Sequence, residues 1–118
     1  MFLLLLTALI SLLAGALSGL LGIGGGLILV PLFHYLLKMD IHLAIGTSLA
    51  IIVPTALVGT ARHVAHQYVD WKILVLAGIF SVLGALIGAG ISVNLDATLL
   101  RKIFGAFLFF IALKMLFQ

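Results

Sequence analysis

The sequence contains no cysteine and no glutamate, and only 8% of its 118 residues are charged. The absence of cysteine excludes disulfides and thiolate metal sites. Soluble domains average about 25% charged residues, and this chain is 65% hydrophobic, so it cannot cover itself with a water-facing surface. Its six basic residues are scattered along the chain. Nucleic acid is therefore not an expected partner.

Charged side chains are absent from three long stretches, residues 1–37, 41–61 and 73–95. Each stretch exceeds the roughly 20 helical residues that cross a bilayer core. A fourth segment, 97–117, carries charges only near its ends, where they can reach the interfaces. The first stretch lacks the basic flank of a signal peptide and is too long for one. We therefore expect an all-α integral membrane protein that crosses the cell membrane several times and contacts the lipid bilayer directly.

The first apolar stretch is too long for a single transmembrane helix. As a helix, 37 residues would extend about 55 Å, whereas the hydrocarbon core is ~30 Å thick. The glycine cluster Gly22–Gly26 marks the natural break, with a second arm starting near Gly26 or Leu27 and ending at Leu37. This predicts one transmembrane domain, 1–118. Its elements are a broken or re-entrant helical hairpin over 1–37 and transmembrane helices over 41–62, 72–93 and 97–117.

Three consecutive glycines, Gly24, Gly25 and Gly26, suggest a binding site as well as a turn. Non-helical backbone at membrane depth is tolerated only where protein buries it or where it lines a watery cavity. The N-terminus of the half-helix that follows presents free N–H groups and a positive dipole end to an anion. The alternative is close helix packing, because Gly15, Gly19, Gly22 and Gly26 recur at helical spacing. We predict that Gly24, Gly25 and Gly26 bind an anionic substrate.

Polar residues in the second span form a stripe on one helix face, comprising Ser48, Thr55, Gly59 and Arg62, with Thr47 beside it. Hydroxyls and a guanidinium suit an oxyanion, so Thr47, Ser48 and Thr55 join the predicted substrate site and Arg62 the predicted pathway. Alternatively, the hydroxyls bond their own helix and Arg62 reaches the interface.

Two prolines are candidates for gating or helix breaks. Pro54 removes a backbone hydrogen bond in the second span and predicts a kink or a local opening there. Pro31 lies in the half-helix that follows the glycines, one turn before His34.

His34 is one of few candidates for carrying a proton, since no carboxylate lies within the spans. An interfacial position is the alternative. His63 and His66 form an H-x-x-H pair with too few ligands for a metal. We expect no metal site and no cofactor. Without a membrane-embedded glutamate, a small multidrug exporter is also a weak candidate.

Basic residues are balanced between the two sides of the predicted topology. Lys38, Arg101 and Lys102 fall on one side, and Arg62, Lys72 and Lys114 on the other, so the positive-inside rule gives no strong orientation. Two copies inserted in opposite senses would make an antiparallel homodimer that mimics the inverted repeats of larger transporters. A single orientation set by another signal is the alternative.

The chain resembles the TauE/SafE sulfite exporter family, also called the toluene sulfonate uptake permeases. The resemblance lies, in order, in SGLLGIGGGLILVPLF, AIGTSLAIIVPTALVGTARH, VDWKILVLAGIFSVLGALIGAGIS and LRKIFGAFLFFIALKML. Family members have two related halves and move sulfur-containing anions, so the resemblance implies one half of an inverted-repeat transporter. Its pattern matches Gly24, Gly25, Gly26, Thr47, Ser48, Pro31 and Pro54 of this chain.

The expected function is transport of small sulfur-containing anions such as sulfite, sulfonates or sulfoacetate, rather than enzymatic catalysis. The resemblance implies that two copies work together, and rocking of one copy against the other would give alternating access. Two alternatives stay open: an anion channel of dual topology, and a subunit that needs a different half as its partner.

Overall fold

The computed structural model describes the whole chain, residues 1–118, and it is helical throughout, without β-strands. A short second helix continues directly into a π-helical turn, and together these form the half-helix (Gly26–Leu36). In chain order, the elements are α1 (Phe2–Leu21), α2 (Gly26–Pro31), the π-helical turn (Leu32–Leu36), α3 (Ile41–Ala65), α4 (Trp71–Asn94) and α5 (Ala97–Leu116).

Three of these helices, α1, α3 and α4, are long and apolar enough to cross a membrane. They correspond to the charge-free stretches, so the expectation of an all-helical membrane protein is confirmed at this level. Helix α5 is long enough but too charged to count with these three, because Arg101, Lys102 and Lys114 lie on it. Its crossing of the membrane stays a prediction.

The first apolar stretch breaks at the glycine cluster, as its length predicted. Helix α1 ends at Leu21 and is capped by Gly22, whose φ is 70° and whose N–H donates to the carbonyl of Ser18. Gly24 and Gly25 also have positive φ values, 78° and 71°. Residues other than glycine rarely adopt this left-handed backbone conformation. The half-helix then begins at Gly26, at the predicted position, and ends at Leu36.

The small core of the protein lies where the half-helix packs against α3. Helices α1 and α5 also contact α3, whereas α4 buries none of its residues. The buried apolar residues come from α1, the half-helix, α3 and α5: Ala14, Leu29, Val30, Phe33, Ile41, Ala44 and Leu100. The half-helix is thus held against α3 by apolar contacts on one side of the glycine break.

Aspartates stand at the N-termini of the last three helices. The carboxylates of Asp40 and Asp70 accept hydrogen bonds from backbone N–H groups in the first turns of α3 and α4, which satisfies donors that the helix itself leaves free. Asp96 occupies the cap position before α5, but its side chain makes no cap hydrogen bond. Trp71 is the first residue of α4.

The two prolines lie in different local structures. Helix α3 continues through Pro54 without interruption, so the chain remains helical there. The kink and the gating role of Pro54 stay predictions. Pro31 ends α2, and the chain continues as the π-helical turn. A wider turn at this point is a common way to absorb a missing N–H donor.

Candidate functional site

A cavity of about 130 Å³ lies between the C-terminal end of α1, the glycine break and the C-terminal half of α3. Its walls are built from small and hydroxyl-bearing residues and one histidine, and they carry no carboxylate and no lysine or arginine. The lining residues are Ser18, Gly19, Gly22, Gly24, Thr55, Ala56, Gly59, Thr60 and His63. The cavity therefore combines hydrogen-bonding groups with the absence of negative charge.

The hydroxyls around the break differ in what they can offer a ligand. Thr55 Oγ1 donates to the carbonyl of Ile51 at 2.7 Å, and Ser48 Oγ donates to the carbonyl of Ile45 at 2.9 Å. Both hydroxyl hydrogens are thus used within α3, as in the alternative that these hydroxyls bond their own helix. An anion meeting these two groups would face lone pairs, unless the hydroxyls rotate.

Ser18 and Thr60 line the same cavity from opposite sides, on α1 and α3. Neither side chain makes the kind of hydrogen bond to its own helix that occupies the Thr55 hydroxyl. Ser18 is 6% exposed, so its hydroxyl has little access to the surroundings except through the cavity. These two residues are the better-placed hydroxyl donors.

His63 ties the end of α1 to α3 at the rim of the cavity. Its Nε2 lies 3.3 Å from the carbonyl oxygen of Gly19, and since a carbonyl only accepts, Nε2 carries the hydrogen in this contact. Close approach of the two helices allows it: a Cβ on Gly59 would lie 3.9 Å from the Cα of Gly19. The C-terminal carbonyl of α1 thereby gains a donor that the helix cannot supply.

Of the three consecutive glycines, only Gly24 lines the cavity. Gly25 is buried, and a Cβ there would lie 3.6 Å from Ser18 Cβ and 3.7 Å from the carbonyl oxygen of Ala14. A Cβ on Gly26 would lie 3.0 Å from Ile52 Cδ1. Conformation and close packing therefore account for Gly25 and Gly26, and the cavity for Gly24.

The remaining predicted residues do not line the cavity. Thr47 is half-buried on α3, and Arg62 is exposed. Pro54 borders an adjoining groove between α1 and α3, which shares Gly19, Thr55 and Gly59 with the cavity. His34 lies on the π-helical turn with its Nδ1 2.9 Å from the carbonyl oxygen of Met39. The structure thus brings Gly24 and Thr55 together and leaves these four apart from them.

Sequence reasoning did not assign Ser18, Thr60 and His63 to the site. Ser18 lies next to Gly19 in an otherwise apolar helix, and Thr60 and His63 follow Thr55 along α3, so hydroxyl residues near the break were a usable signal. Which helix face meets α1 depends on tertiary packing, and periodicity within one helix does not contain that information.

Comparison with known proteins places the chain among membrane transporters. The family described as Sulfite exporter TauE/SafE matches residues 5–118. Similar curated proteins include a probable membrane transporter protein of Haemophilus influenzae, 36% identical over 94% of this chain and 45% of its own length. The probable membrane transporter protein YunE of Bacillus subtilis is 33% identical over 92% of this chain and 42% of its own.

A probable membrane transporter protein of Methanocaldococcus jannaschii is 32% identical, over 91% of this chain and 43% of its own length. The chain thus spans less than half the length of these relatives. No solved structure matches it.

Proposed function

The chain belongs to the sulfite exporter TauE/SafE family, and from this we propose that it carries small sulfur-containing oxyanions, such as sulfite or sulfonates, across the cell membrane. The observation that supports the proposal best is the cavity beside the glycine break. Its wall holds the free hydroxyls of Ser18 and Thr60, with no carboxylate to repel an anion. The hydroxyl hydrogens supply the charge-assisted hydrogen bonds that an oxyanion needs in place of water.

The proposed mechanism is alternating access around this cavity. The left-handed backbone at Gly24 and Gly25 separates α1 from the half-helix, so rocking about the break would change which side of the cavity is open. Broken helices serve this purpose in larger transporters. Helices α1 and α3 already meet at Gly19 and Gly59, where no side chain stands between them, so the rocking motion would pivot at this contact.

The working unit in this proposal is a homodimer. Each copy crosses the membrane several times, and the two copies are inserted in opposite orientations. Two observations support this. The chain spans 43% of the Methanocaldococcus jannaschii relative, and its basic residues are balanced between the two membrane sides of the predicted topology. A chain of this length paired with an inverted copy would restore the two-half architecture.

Uptake by proteoliposomes made from the purified protein tests the proposal. We expect saturable uptake of radiolabelled sulfite that is accelerated by sulfite inside the vesicles, as in carrier-type exchange. Ser18→Ala and Thr60→Val should each raise the KM about tenfold, because a hydrogen bond to a charged group contributes about 1.5–3 kcal/mol.

Thr7→Val is the matched control. Thr7 lies on the same helix as Ser18, is not in the cavity lining, and donates to its own helix at Leu3. Uptake that is equally fast in all four proteins would contradict the proposed site. Linear, non-saturating flux without exchange would instead indicate a channel.

A further inference from the structure

A second groove, of about 270 Å³, lies between the half-helix and α5, apart from the cavity at the glycine break. Basic, aromatic and apolar residues share its lining: Val30, Pro31, His34, Tyr35, Ile41, Arg101, Phe104, Gly105 and Leu108. None of the residues lining the cavity at the break takes part in it.

The polar residues lie at one end of this groove. Arg101 is near the start of α5, whereas Phe104 and Leu108 follow at helical spacing on the same face,. His34 and Tyr35 lie near the C-terminal end of the half-helix. Buried Leu100 packs with the core and fixes this end of α5. The groove is therefore amphipathic along its length, with a polar mouth and an apolar floor.

The guanidinium of Arg101 has no carboxylate partner. The one ion pair within 4 Å in the chain joins His42 to Asp40, and no acidic residue lines the groove. The Nδ1 of His34 is directed to the carbonyl of Met39, which leaves Arg101 as the main cation of the mouth. A guanidinium binds a phosphate through paired N–H donors.

We propose that this groove binds an anionic phospholipid. Arg101 holds the phosphate, Tyr35 lies at the headgroup level, as tyrosines commonly do at membrane interfaces, and an acyl chain lies along Phe104 and Leu108. Basic pockets between transmembrane helices bind such headgroups. An apolar floor continuous with a cationic mouth matches a lipid and not a free ion.

Native mass spectrometry of the full chain, released from detergent micelles that contain equal amounts of phosphatidylglycerol and phosphatidylcholine, tests the site. We expect wild-type protein to retain phosphatidylglycerol at least tenfold over phosphatidylcholine. Arg101→Gln should lose most of that preference. Arg62→Gln removes the same charge from an exposed position on α3 outside the groove and should keep it. Equal retention in these two variants would overturn the proposal.

Filling the groove separates the acyl-chain contact from the charge. A Cβ on Gly105 would have no neighbour within 4 Å, and the same holds for Gly84 on α4, so a side chain can start from the backbone at both positions without a clash at Cβ. Gly105→Leu should reduce phosphatidylglycerol retention several-fold with Arg101 intact, whereas Gly84→Leu should not. If Gly105→Leu leaves retention unchanged, or inorganic phosphate displaces the lipid at millimolar concentration, the site binds anions alone and the proposal is wrong.

Discussion

The imidazole of His42 donates from Nε2 to the carbonyl of Leu95 across 2.9 Å, joining the start of α3 to the end of α4. Its Nδ1 lies 3.2 Å from the carboxylate of Asp40. Both partners accept, and a neutral imidazole has one N–H, so only the imidazolium donates to both. The side chain of His42 thus ties the first turn of α3 both to the Asp40 cap and to the end of α4.

Acid should weaken this contact through Asp40. The backbone N–H of His42, and secondarily its ring, holds the pKa of Asp40 below its ordinary value of 3.8. A carboxyl with a lowered pKa stabilises the fold above its ordinary pKa, and that contribution is lost as pH falls through the lowered value. Thermal unfolding in detergent should therefore show a falling Tm as pH decreases from about 5 to about 3.

Asp40→Asn should flatten this acid slope while keeping helix α3 capped, because asparagine caps as well as aspartate. Asp96→Asn is the control, since the Asp96 side chain makes no cap hydrogen bond. An acid slope that is equally steep in wild type and in Asp40→Asn would show that other groups set it.

Gly26 and Ile52 should be energetically coupled. A Cβ on Gly26 would lie 3.0 Å from Ile52 Cδ1, so Gly26→Ala pushes the half-helix away from α3. Ile52→Val removes that atom and alone costs about 0.5–1.5 kcal/mol. In a double-mutant cycle measured by unfolding in detergent, the pair should be less destabilised than the sum by about 1 kcal/mol. Additive effects would mean that the two residues do not touch.

Gly25 and Gly15 should respond in opposite directions to alanine. Gly25 has a φ of 71°, and alanine there should cost about 1–2 kcal/mol because a Cβ disfavours left-handed backbone. Gly15 lies within α1 with no atom within 4 Å of an added Cβ. Gly15→Ala should therefore stabilise α1 by up to about 1 kcal/mol. Similar unfolding free energies for both variants would contradict the assigned conformation of the break.

The position of the glycine break was predictable from the sequence because it follows from a length and a local conformational rule. Thirty-seven apolar residues exceed one crossing, and consecutive glycines mark where the chain turns; Gly22 and Gly26 lie at the two ends of the break. The continuity of α3 through Pro54 was not predictable in the same way. Whether a proline opens a helix depends on the neighbours that satisfy the freed carbonyl.

The residues that line the cavity could be predicted only in part. Thr55 was predicted from the stripe on α3, and it does line the cavity, but its hydrogen is given to Ile51. Ser18 and His63 were not assigned, because their role depends on α1 meeting α3 at Gly19 and Gly59. Such a meeting of two helices is a tertiary property, and a period of 3.6 within one helix does not specify it.

Reporter fusions test the proposed antiparallel pair. Because Lys38, Arg101 and Lys102 balance Arg62, Lys72 and Lys114, a tag at the C-terminus should be accessible from both sides of the membrane in comparable amounts. Adding two lysines beside Lys38 should fix one orientation and abolish transport by the chain expressed alone. A single orientation in the unaltered protein, with transport intact, would exclude the antiparallel arrangement.

Burial in this protein is confined to a narrow region: 10 of 118 residues are buried, and none of them lies on α4. Between helices in lipid, packing and hydrogen bonds replace the hydrophobic effect as the source of association. Tolerance to substitution should therefore vary sharply along the chain. A saturation-mutagenesis map scored for folded protein would show a band of intolerance where the half-helix meets α3. Within the single chain, most apolar exchanges along α4 should leave the fold intact.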